Sequence, residues 1–200
     1  MKKPDSKIKK LINFLFETRI LKYLPRASLP YLKTCLKENV AEHSYYTAMI
    51  GWVLAELEGV DKDKVIKMSL IHDLAEVRGG ERNLINKFYT RAPNEPKIFE
   101  EIVQHYNIEK LEFKELFEEF FNEKSKEAKI VRDANILAQM FFEKEVLDSG
   151  NTKVKKWLTT SLSRLKIKSA KEIGKLLIKA DSDQWWLEVA KRYLPFTKFL

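Results

Sequence analysis

The stretch Ser69-Leu70-Ile71-His72-Asp73-Leu74-Ala75-Glu76 decides how this sequence is interpreted. A histidine and an aspartate are adjacent in an otherwise apolar run, and a glutamate follows three residues later. On a helix, Asp73 and Glu76 are i,i+3 neighbours and His72 and Glu76 are i,i+4 neighbours, so all three side chains can reach one small volume. Burying so many polar groups is costly unless something compensates, and a divalent metal ion compensates well. The alternative is a His-Asp pair whose members satisfy each other at a helix end.

The composition predicts a mostly helical protein of a reducing compartment. Apolar residues make up 44% and charged residues 33%, with only six glycines and six prolines, which favours an all-α fold. Two hundred residues are enough for one domain with a substantial core. The single cysteine, Cys35, excludes a disulfide framework. We find neither a signal peptide nor an apolar run of about 18 residues, so we expect a cytoplasmic protein that does not bind a membrane.

The net charge of +8 is compatible with a nucleic-acid partner or with small anionic substrates. Lysines and glutamates alternate, as in residues 110–129, and are not gathered into basic blocks. Mixed-sign runs of this kind are typical of solvated helix faces. Nucleic acid is therefore not the expected partner.

Apolar spacing predicts a first helix over residues 8–24, which Pro25 ends. The following residues, 24–30, contain two prolines and are expected to form a loop. Arg26 is held in this loop between rigid neighbours, an arrangement well suited to binding a phosphate.

Residues 39–57 and 62–77 form the next two predicted helices, and each presents a histidine inward, His43 and His72. Either Glu38 or Asn39 can cap the first of them. Its expected inward stripe is Val40, Tyr46 or Thr47, Ile50, Val53, Leu54 and Leu57.

The segment 81–96 is expected to be an irregular loop at the rim of the site. His105 is expected to be exposed, and Trp185 with Trp186 to seal the last helix against the body or a partner subunit. Six further helices are predicted over residues 97–106, 111–122, 125–147, 152–165, 169–180 and 182–193.

A metal site needs another ligand, and the helix over residues 125–147 offers Asp133 and Asn135. Residues two apart point about 200° away from each other on a helix, so only one of the two can face the cluster. Two histidines with oxygen ligands suit Mn, Co, Ni, Zn or Fe better than Mg or Ca.

Four segments of the chain together resemble the HD-domain metal-dependent phosphohydrolases, in particular the branch with bacterial 5′-deoxynucleotidase and HD-domain-containing protein 2. Their order matches the family over about residues 8–148. The segments are Leu24-Pro25-Arg26, Glu38-Asn39-Val40-Ala41-Glu42-His43-Ser44, His72-Asp73-Leu74-Ala75-Glu76-Val77 and Glu127-Ala128-Lys129-Ile130-Val131-Arg132.

The resemblance implies a single HD domain over residues 1–200. Residues 8–148 would form its helical core, and the helices of residues 149–200 would pack on that core. It implies one divalent transition metal ion and hydrolysis of deoxynucleoside 5′-monophosphates to nucleoside and phosphate. Relatives commonly form dimers, so a homodimer is expected.

Carried over by position, the resemblance makes His43, His72 and Asp73 metal ligands. Glu76 would orient or activate the attacking water, and Arg26 would hold the phosphate. These roles are chemically consistent, since a bound metal lowers the pKa of water and a carboxylate can then manage the proton.

The sequence departs from the family pattern at three places. The last metal-binding aspartate aligns with Asn135, which brings no charge, and Asp133 would replace it only if the helix shifted. Glu81 stands where the family has the aspartate that helps to line the sugar pocket, and Ala27-Ser28 replaces a bulky aromatic residue. Three interpretations therefore remain: a nucleotide phosphatase, a phosphohydrolase for another small phosphorylated metabolite, or a non-catalytic protein with weakened metal binding.

Overall fold

The protein is a helical bundle, and the computed structural model describes its residues 4–193. Within this range no helix is both long and apolar enough to cross a membrane. Three short 3-10 helices, Arg19–Tyr23, Glu109–Leu111 and Thr152–Val154, join the α-helices. The all-α class predicted from the composition is confirmed. The α-helices of the described residues are α1 (Pro4–Thr18), α2 (Leu29–Leu32), α3 (Val40–Glu58), α4 (Lys62–Ile71), α5 (Glu76–Gly79), α6 (Leu84–Tyr89), α7 (Glu95–Tyr106), α8 (Phe113–Phe121), α9 (Lys126–Asp148), α10 (Lys155–Arg164), α11 (Lys168–Leu177) and α12 (Gln184–Tyr193).

Helix α3 begins with a capping box. The Asn39 side chain accepts the backbone N–H of Glu42 at 3.0 Å, and the Glu42 carboxylate accepts the backbone N–H of Asn39 at 2.9 Å. Of the two predicted caps, Asn39 is therefore the one used. Gly59 ends the helix at a φ of 64°, in the left-handed region that glycine adopts without strain.

Helix α3 packs between α4 and α9 along a stripe of small residues. A Cβ atom at Gly51 would lie 3.0 Å from the Val65 side chain, which shows how closely α4 approaches. Bulky residues are kept off this contact, so Val53 and Leu57 are 53% and 61% exposed and the predicted inward stripe is wrong there. Periodicity could not identify the buried face because α3 is apolar on most sides. The buried residues are Val40, His43, Ser44, Thr47, Ala48, Gly51, Leu54 and Ala55.

The predicted continuous helix over residues 62–77 is interrupted: α4 ends at Ile71, and a tight turn precedes α5. The carbonyl oxygen of Ser69 accepts the Nδ1–H of His72 at 2.6 Å, so it is engaged where a continuing α-helix would use it. The Leu74 N–H then bonds to the Ile71 carbonyl at 3.0 Å, and the next three backbone bonds have the same i→i−3 pattern. This is 3-10 geometry, which turns the chain more tightly than an α-helix does.

Two further expectations are wrong. The segment 81–96 is not irregular throughout, because it contains α6, which Asn83 caps by accepting the N–H of Asn86 at 2.8 Å. Trp185 and Trp186 do not seal the last helix against the body, since they are 71% and 42% exposed. Their other expected role, packing against a partner subunit, stays a prediction.

After residue 149, the chain returns along α9. The 3-10 helix Thr152–Val154, α10 and α11 all contact α9, and α11 also contacts α3. These contacts support the prediction of a single domain with C-terminal helices packed on the core, which stays a prediction.

Candidate metal centre

Two histidines and an aspartate from consecutive elements converge at one end of the α3–α4–α9 contact. His43 comes from the first turn of α3, and His72 and Asp73 come from the turn after α4. One potential ligand atom from each lies within 4.8 Å of the other two. His43 is fully buried and His72 is 3% exposed. The structure thus brings together the three residues that the sequence singled out.

The ring orientations leave one nitrogen of each histidine facing this cluster. Because a carbonyl oxygen can only accept, His72 donates its Nδ1–H to Ser69 and turns Nε2 toward Asp73, whose Oδ2 lies 3.0 Å away. The His43 Nε2 lies 3.1 Å from the Oδ1 of Asn135. A histidine that binds a metal through one ring nitrogen typically donates a hydrogen bond from the other nitrogen, as His72 does to Ser69.

The charges of the cluster also suit a cation. Burial, assisted by the positive charge of Arg26, lowers the pKa of His43 to about 3, so its imidazole is neutral and has a free lone pair. Burial alone would raise the pKa of the Asp73 carboxyl, but its contact with His72 and the positive charge of Arg26 hold that pKa below its usual range. Two imidazole nitrogens, a carboxylate and a carboxamide oxygen form a donor set that fits a divalent transition metal ion.

Asp133 and Asn135 lie on opposite sides of α9, as the helix period requires. Asn135 faces the histidines, whereas the fully buried Asp133 accepts the backbone N–H groups of Lys166 and Ile167 at 2.8 and 2.7 Å. The carboxylate of Asp133 is thus used to hold the chain before α11. This geometry supports Asn135 as the fourth ligand.

Arg26 reaches the cluster from the proline-bounded loop. Its backbone N–H donates to the Glu38 carbonyl at 3.0 Å, which fixes the loop beside the start of α3. Its Nη1 lies 2.9 Å from Glu81 Oε1 and 3.8 Å from Asp73 Oδ2. The other oxygen of Glu81 accepts the backbone N–H of Ala27. A guanidinium therefore stands directly beside the candidate metal ligands.

Sequence reasoning missed two partners of Arg26. The Glu38 carboxylate lies 3.7 Å from Arg26 Nε and 4.0 Å from His43 Nδ1, and burial raises its pKa to about 7 against the effect of Arg26. Gln139 accepts from Arg26 Nη2 at 3.4 Å. Gln139 could have been found, since it follows Asn135 by four residues and so shares its helix face.

Glu76 lies at the start of α5, partly buried beside the cluster. Burial raises the pKa of its carboxyl, and the negative charges of Asp73 and Glu81 raise it further. A carboxylate in such surroundings is a stronger base than one in water. The third histidine, His105, is exposed, as predicted.

Comparison with known proteins agrees with this geometry. A family model described as an HD domain matches residues 18–177. The 5′-deoxynucleotidase HDDC2 of Mus musculus is 28% identical over 148 residues, 70% of this chain and 72% of that protein. A 5′-deoxynucleotidase of Klebsiella pneumoniae is 27% identical over 134 residues, 61% of this chain and 67% of that protein. A solved structure of a conserved hypothetical protein from Pyrococcus furiosus is 26% identical with a TM-score of 0.68, covering 84% of this chain and 99% of that one. The chain therefore belongs to the HD-domain family of metal-dependent phosphohydrolases.

Proposed function

We propose that this protein is a metal-dependent phosphomonoesterase that hydrolyses (deoxy)nucleoside 5′-monophosphates to the nucleoside and phosphate. The observation that carries the proposal is the position of the Arg26 guanidinium, 3.8 Å from the carboxylate of Asp73. A cation and a guanidinium side by side can bind one phosphate group between them. Similarity to proteins named 5′-deoxynucleotidase supports the choice of substrate.

His43, His72, Asp73 and Asn135 would hold one divalent ion, with Mn, Co, Ni, Zn and Fe as candidates. Such an ion supplies Lewis acidity, which lowers the pKa of water and neutralises charge on a phosphoryl oxygen. The two histidines are buried and Asp73 and Asn135 are partly buried, which restricts the positions of the ligand atoms before substrate binds.

Glu76 and Arg26 would carry the rest of the reaction. Arg26 binds the phosphate oxygens and neutralises their charge, while Glu76 accepts a proton from the attacking water. The water oxygen forms a bond to phosphorus as the bond to the ester oxygen breaks. The ester oxygen leaves with the electron pair and takes up a proton from solvent, and Glu76 releases to solvent the proton that it accepted, so the products are an alcohol and inorganic phosphate.

Glu81 is proposed to line the substrate pocket on the sugar side. Its carboxylate is held at both oxygens, by Arg26 and by the N–H of Ala27, so it cannot swing away freely. Ala27 beside it is small, where the family resemblance implies a bulky aromatic residue. This combination also favours a second candidate function, hydrolysis of another small phosphorylated metabolite.

A phosphate-release assay tests the proposal. We expect release from deoxy- or ribonucleoside 5′-monophosphates with at least one of the five metals, and no release from the corresponding 3′-monophosphates. Arg26→Met should raise KM at least about tenfold, because a charged hydrogen-bond donor to phosphate is lost. Arg192→Met, an exposed arginine of α12, is the control and should behave like the wild type.

Other outcomes of the assay identify the alternatives. Release only from sugar phosphates would select the second candidate. A purified protein that takes up none of the metals and releases no phosphate would support the third interpretation, a non-catalytic protein.

We also propose a homodimer through the outer face of α3. Its exposed apolar residues follow one helical stripe. In a two-fold pairing of α3 helices, the stripe of one copy would cover that of the other. The stripe consists of Tyr45, Tyr46, Met49, Trp52, Val53 and Leu57, each between 43% and 61% exposed.

Sedimentation analysis tests this interface. A charged side chain in the stripe, Trp52→Glu, should give a monomer, while the equally drastic Trp185→Glu on α12 should leave the dimer intact. A dimer that survives Trp52→Glu would place the interface elsewhere. The cytoplasmic location and the absence of a nucleic-acid partner stay predictions.

A further inference from the structure

A line of hydrogen bonds runs from Arg26 into the interior between α9 and α10. Arg26 Nη2 donates to Gln139 Oε1 at 3.4 Å, and Gln139 Nε2 donates to Glu143 Oε1 at 3.1 Å. The hydroxyl of Ser161 on α10 donates to the same Glu143 oxygen at 3.4 Å. Asn135, Gln139 and Glu143 are spaced by four residues, so they form one polar stripe along α9.

The two ends of the Gln139 amide are assigned by their partners. A guanidinium offers only donors, so the amide oxygen must face Arg26, and the amide nitrogen then donates to Glu143 Oε1. The reverse orientation would place donor against donor at Arg26. The hydrogen bond to Glu143 holds the Gln139 amide in this orientation.

Glu143 lies too deep for its carboxyl to be a surface feature. It is 1% exposed, and burial raises its pKa to about 7 although Gln139 and Ser161 both stabilise the ionised form. A buried carboxyl is costly, and tying α10 to α9 would not require the further contact from Gln139 to Arg26.

The remaining polar neighbours of Arg26 are carboxylates. Glu38, Glu81 and Asp73 lie 3.7, 2.9 and 3.8 Å from its Nε and Nη1 atoms. Gln139 instead offers Nη2 an uncharged acceptor. It can orient the guanidinium without neutralising more of the charge that an anionic substrate needs.

We propose that Gln139 is a positioning residue for Arg26, and that Glu143 fixes the Gln139 amide for this task. The inference rests on the proposed role of Arg26 in phosphate binding. The polar stripe of α9 then serves both parts of the centre, with Asn135 at the metal ligands and Gln139 at the phosphate group.

The test measures KM and kcat for a nucleoside 5′-monophosphate and the inhibition constant of inorganic phosphate. Gln139→Leu should raise KM and the phosphate inhibition constant together, by about tenfold, as expected when a bond that orders a charged group is lost. The kcat should change by less than about threefold, because phosphate is bound in both the ground and transition states. Metal affinity should not change.

The chain contains a matched control. Gln104 on α7 donates to Glu100 at 3.3 Å, an i,i+4 pair of the same two residue types in reverse order on the outer face of the helix. Gln104→Leu should leave all constants unchanged. If Gln139→Leu behaves like Gln104→Leu, the inference is wrong.

Glu143 provides a second, independent set of variants. Glu143→Gln keeps an acceptor for the Gln139 amide and should retain a KM within about twofold of wild type, whereas Glu143→Leu should raise KM by about three- to fivefold. A larger effect of Glu143→Gln on kcat than on KM would contradict a positioning role. If Gln139→Leu does not fold, Gln139→Met and this pair give the same comparison.

Failure of the proposed function gives a different result. If the wild type hydrolyses none of the monophosphates, titration calorimetry with inorganic phosphate replaces the kinetic assay. Weaker phosphate binding by Gln139→Leu than by Gln104→Leu would then support the inference alone. A wild type that binds no phosphate would overturn both proposals.

Discussion

On one side of α9, Asn135 faces two buried histidines, and on the other side Asp133 faces the backbone before α11. The two residues lie two positions apart in the middle of the same helix. The two oxygens differ in their partners: Asp133 receives two backbone N–H groups at 2.8 and 2.7 Å, whereas Asn135 meets only a histidine nitrogen at 3.1 Å. Buried polar groups need hydrogen-bond partners, and two backbone donors supply them for the Oδ2 atom of Asp133.

This difference separates structural from chemical use of a buried polar residue. The carboxylate, which by charge is the better metal ligand, is engaged in holding the chain. The carboxamide, which by charge is the weaker ligand, lies where the ligand atoms converge. Position therefore outweighs residue type in our proposal that Asn135 is the fourth ligand.

The largest effect is expected from substitution of the proposed metal ligands. His72→Ala and Asp73→Ala should abolish metal uptake and reduce hydrolysis to the uncatalysed background, because each removes a proposed direct ligand. Metal content by mass spectrometry, phosphate release and circular dichroism measure the outcome, and the helical content should be largely kept. Full activity of a metal-loaded His72→Ala variant would show that the site lies elsewhere.

Glu76→Ala tests proton transfer separately from metal binding. Turnover should fall by about a hundred- to ten-thousandfold, as is typical for loss of a general acid or base. Metal content should be the same as in the wild type. An unchanged rate would reduce Glu76 to a structural neighbour of the histidines.

Asp133→Ala and Asn135→Asp test directly which of the two residues is the metal ligand. Asp133→Ala should destabilise the fold by about 3 kcal/mol, because two backbone N–H groups lose a charged acceptor, and should leave metal affinity unchanged. Asn135→Asp should tighten metal binding, since a carboxylate adds charge, and should raise activity at limiting metal.

Denaturant unfolding and metal titration of these two variants are the measurements. The control is Asp181→Ala, which removes an exposed carboxylate that accepts the Asp183 N–H at 2.9 Å and should cost under about 1 kcal/mol. Loss of metal in Asp133→Ala alone would reverse the assignment of the two residues.

The smallest effect concerns Glu143, which lies on the polar stripe of α9 with Asn135 and is buried like Asp133. Burial raises its pKa from 4.5 to about 7, so the folded protein binds a proton that the unfolded chain releases between these pH values. The resulting stability is complete below pH 4.5 and is lost as the pH rises through about 7. Relative to Glu143→Gln, the wild type should lose up to about 3 kcal/mol of unfolding free energy between pH 4.5 and about 8. Equal pH dependence of the two proteins would show that Glu143 is solvated.

Much of the fold could be predicted because its signals are local. Composition and apolar spacing indicated the helices, and the Asn-Val-Ala-Glu pattern at residues 39–42 carried its own capping box. The adjacency of His72 and Asp73 required them to share one end of a helix whatever the packing. The resemblance to the HD-domain family rested on four short segments and needed no tertiary contact.

The remaining features depended on packing. The helix period shows that Asp133 and Asn135 point apart but not which of them faces the histidines, since that depends on where α3 and α10 lie. The buried face of α3 was hidden because the helix is apolar on most sides, and small residues such as Gly51 decided it by allowing α4 to approach. The turn at His72 arises from one side chain bonding to a carbonyl. The pairing of Arg26 with Gln139 joins residues 113 positions apart, and only the folded chain brings such residues together.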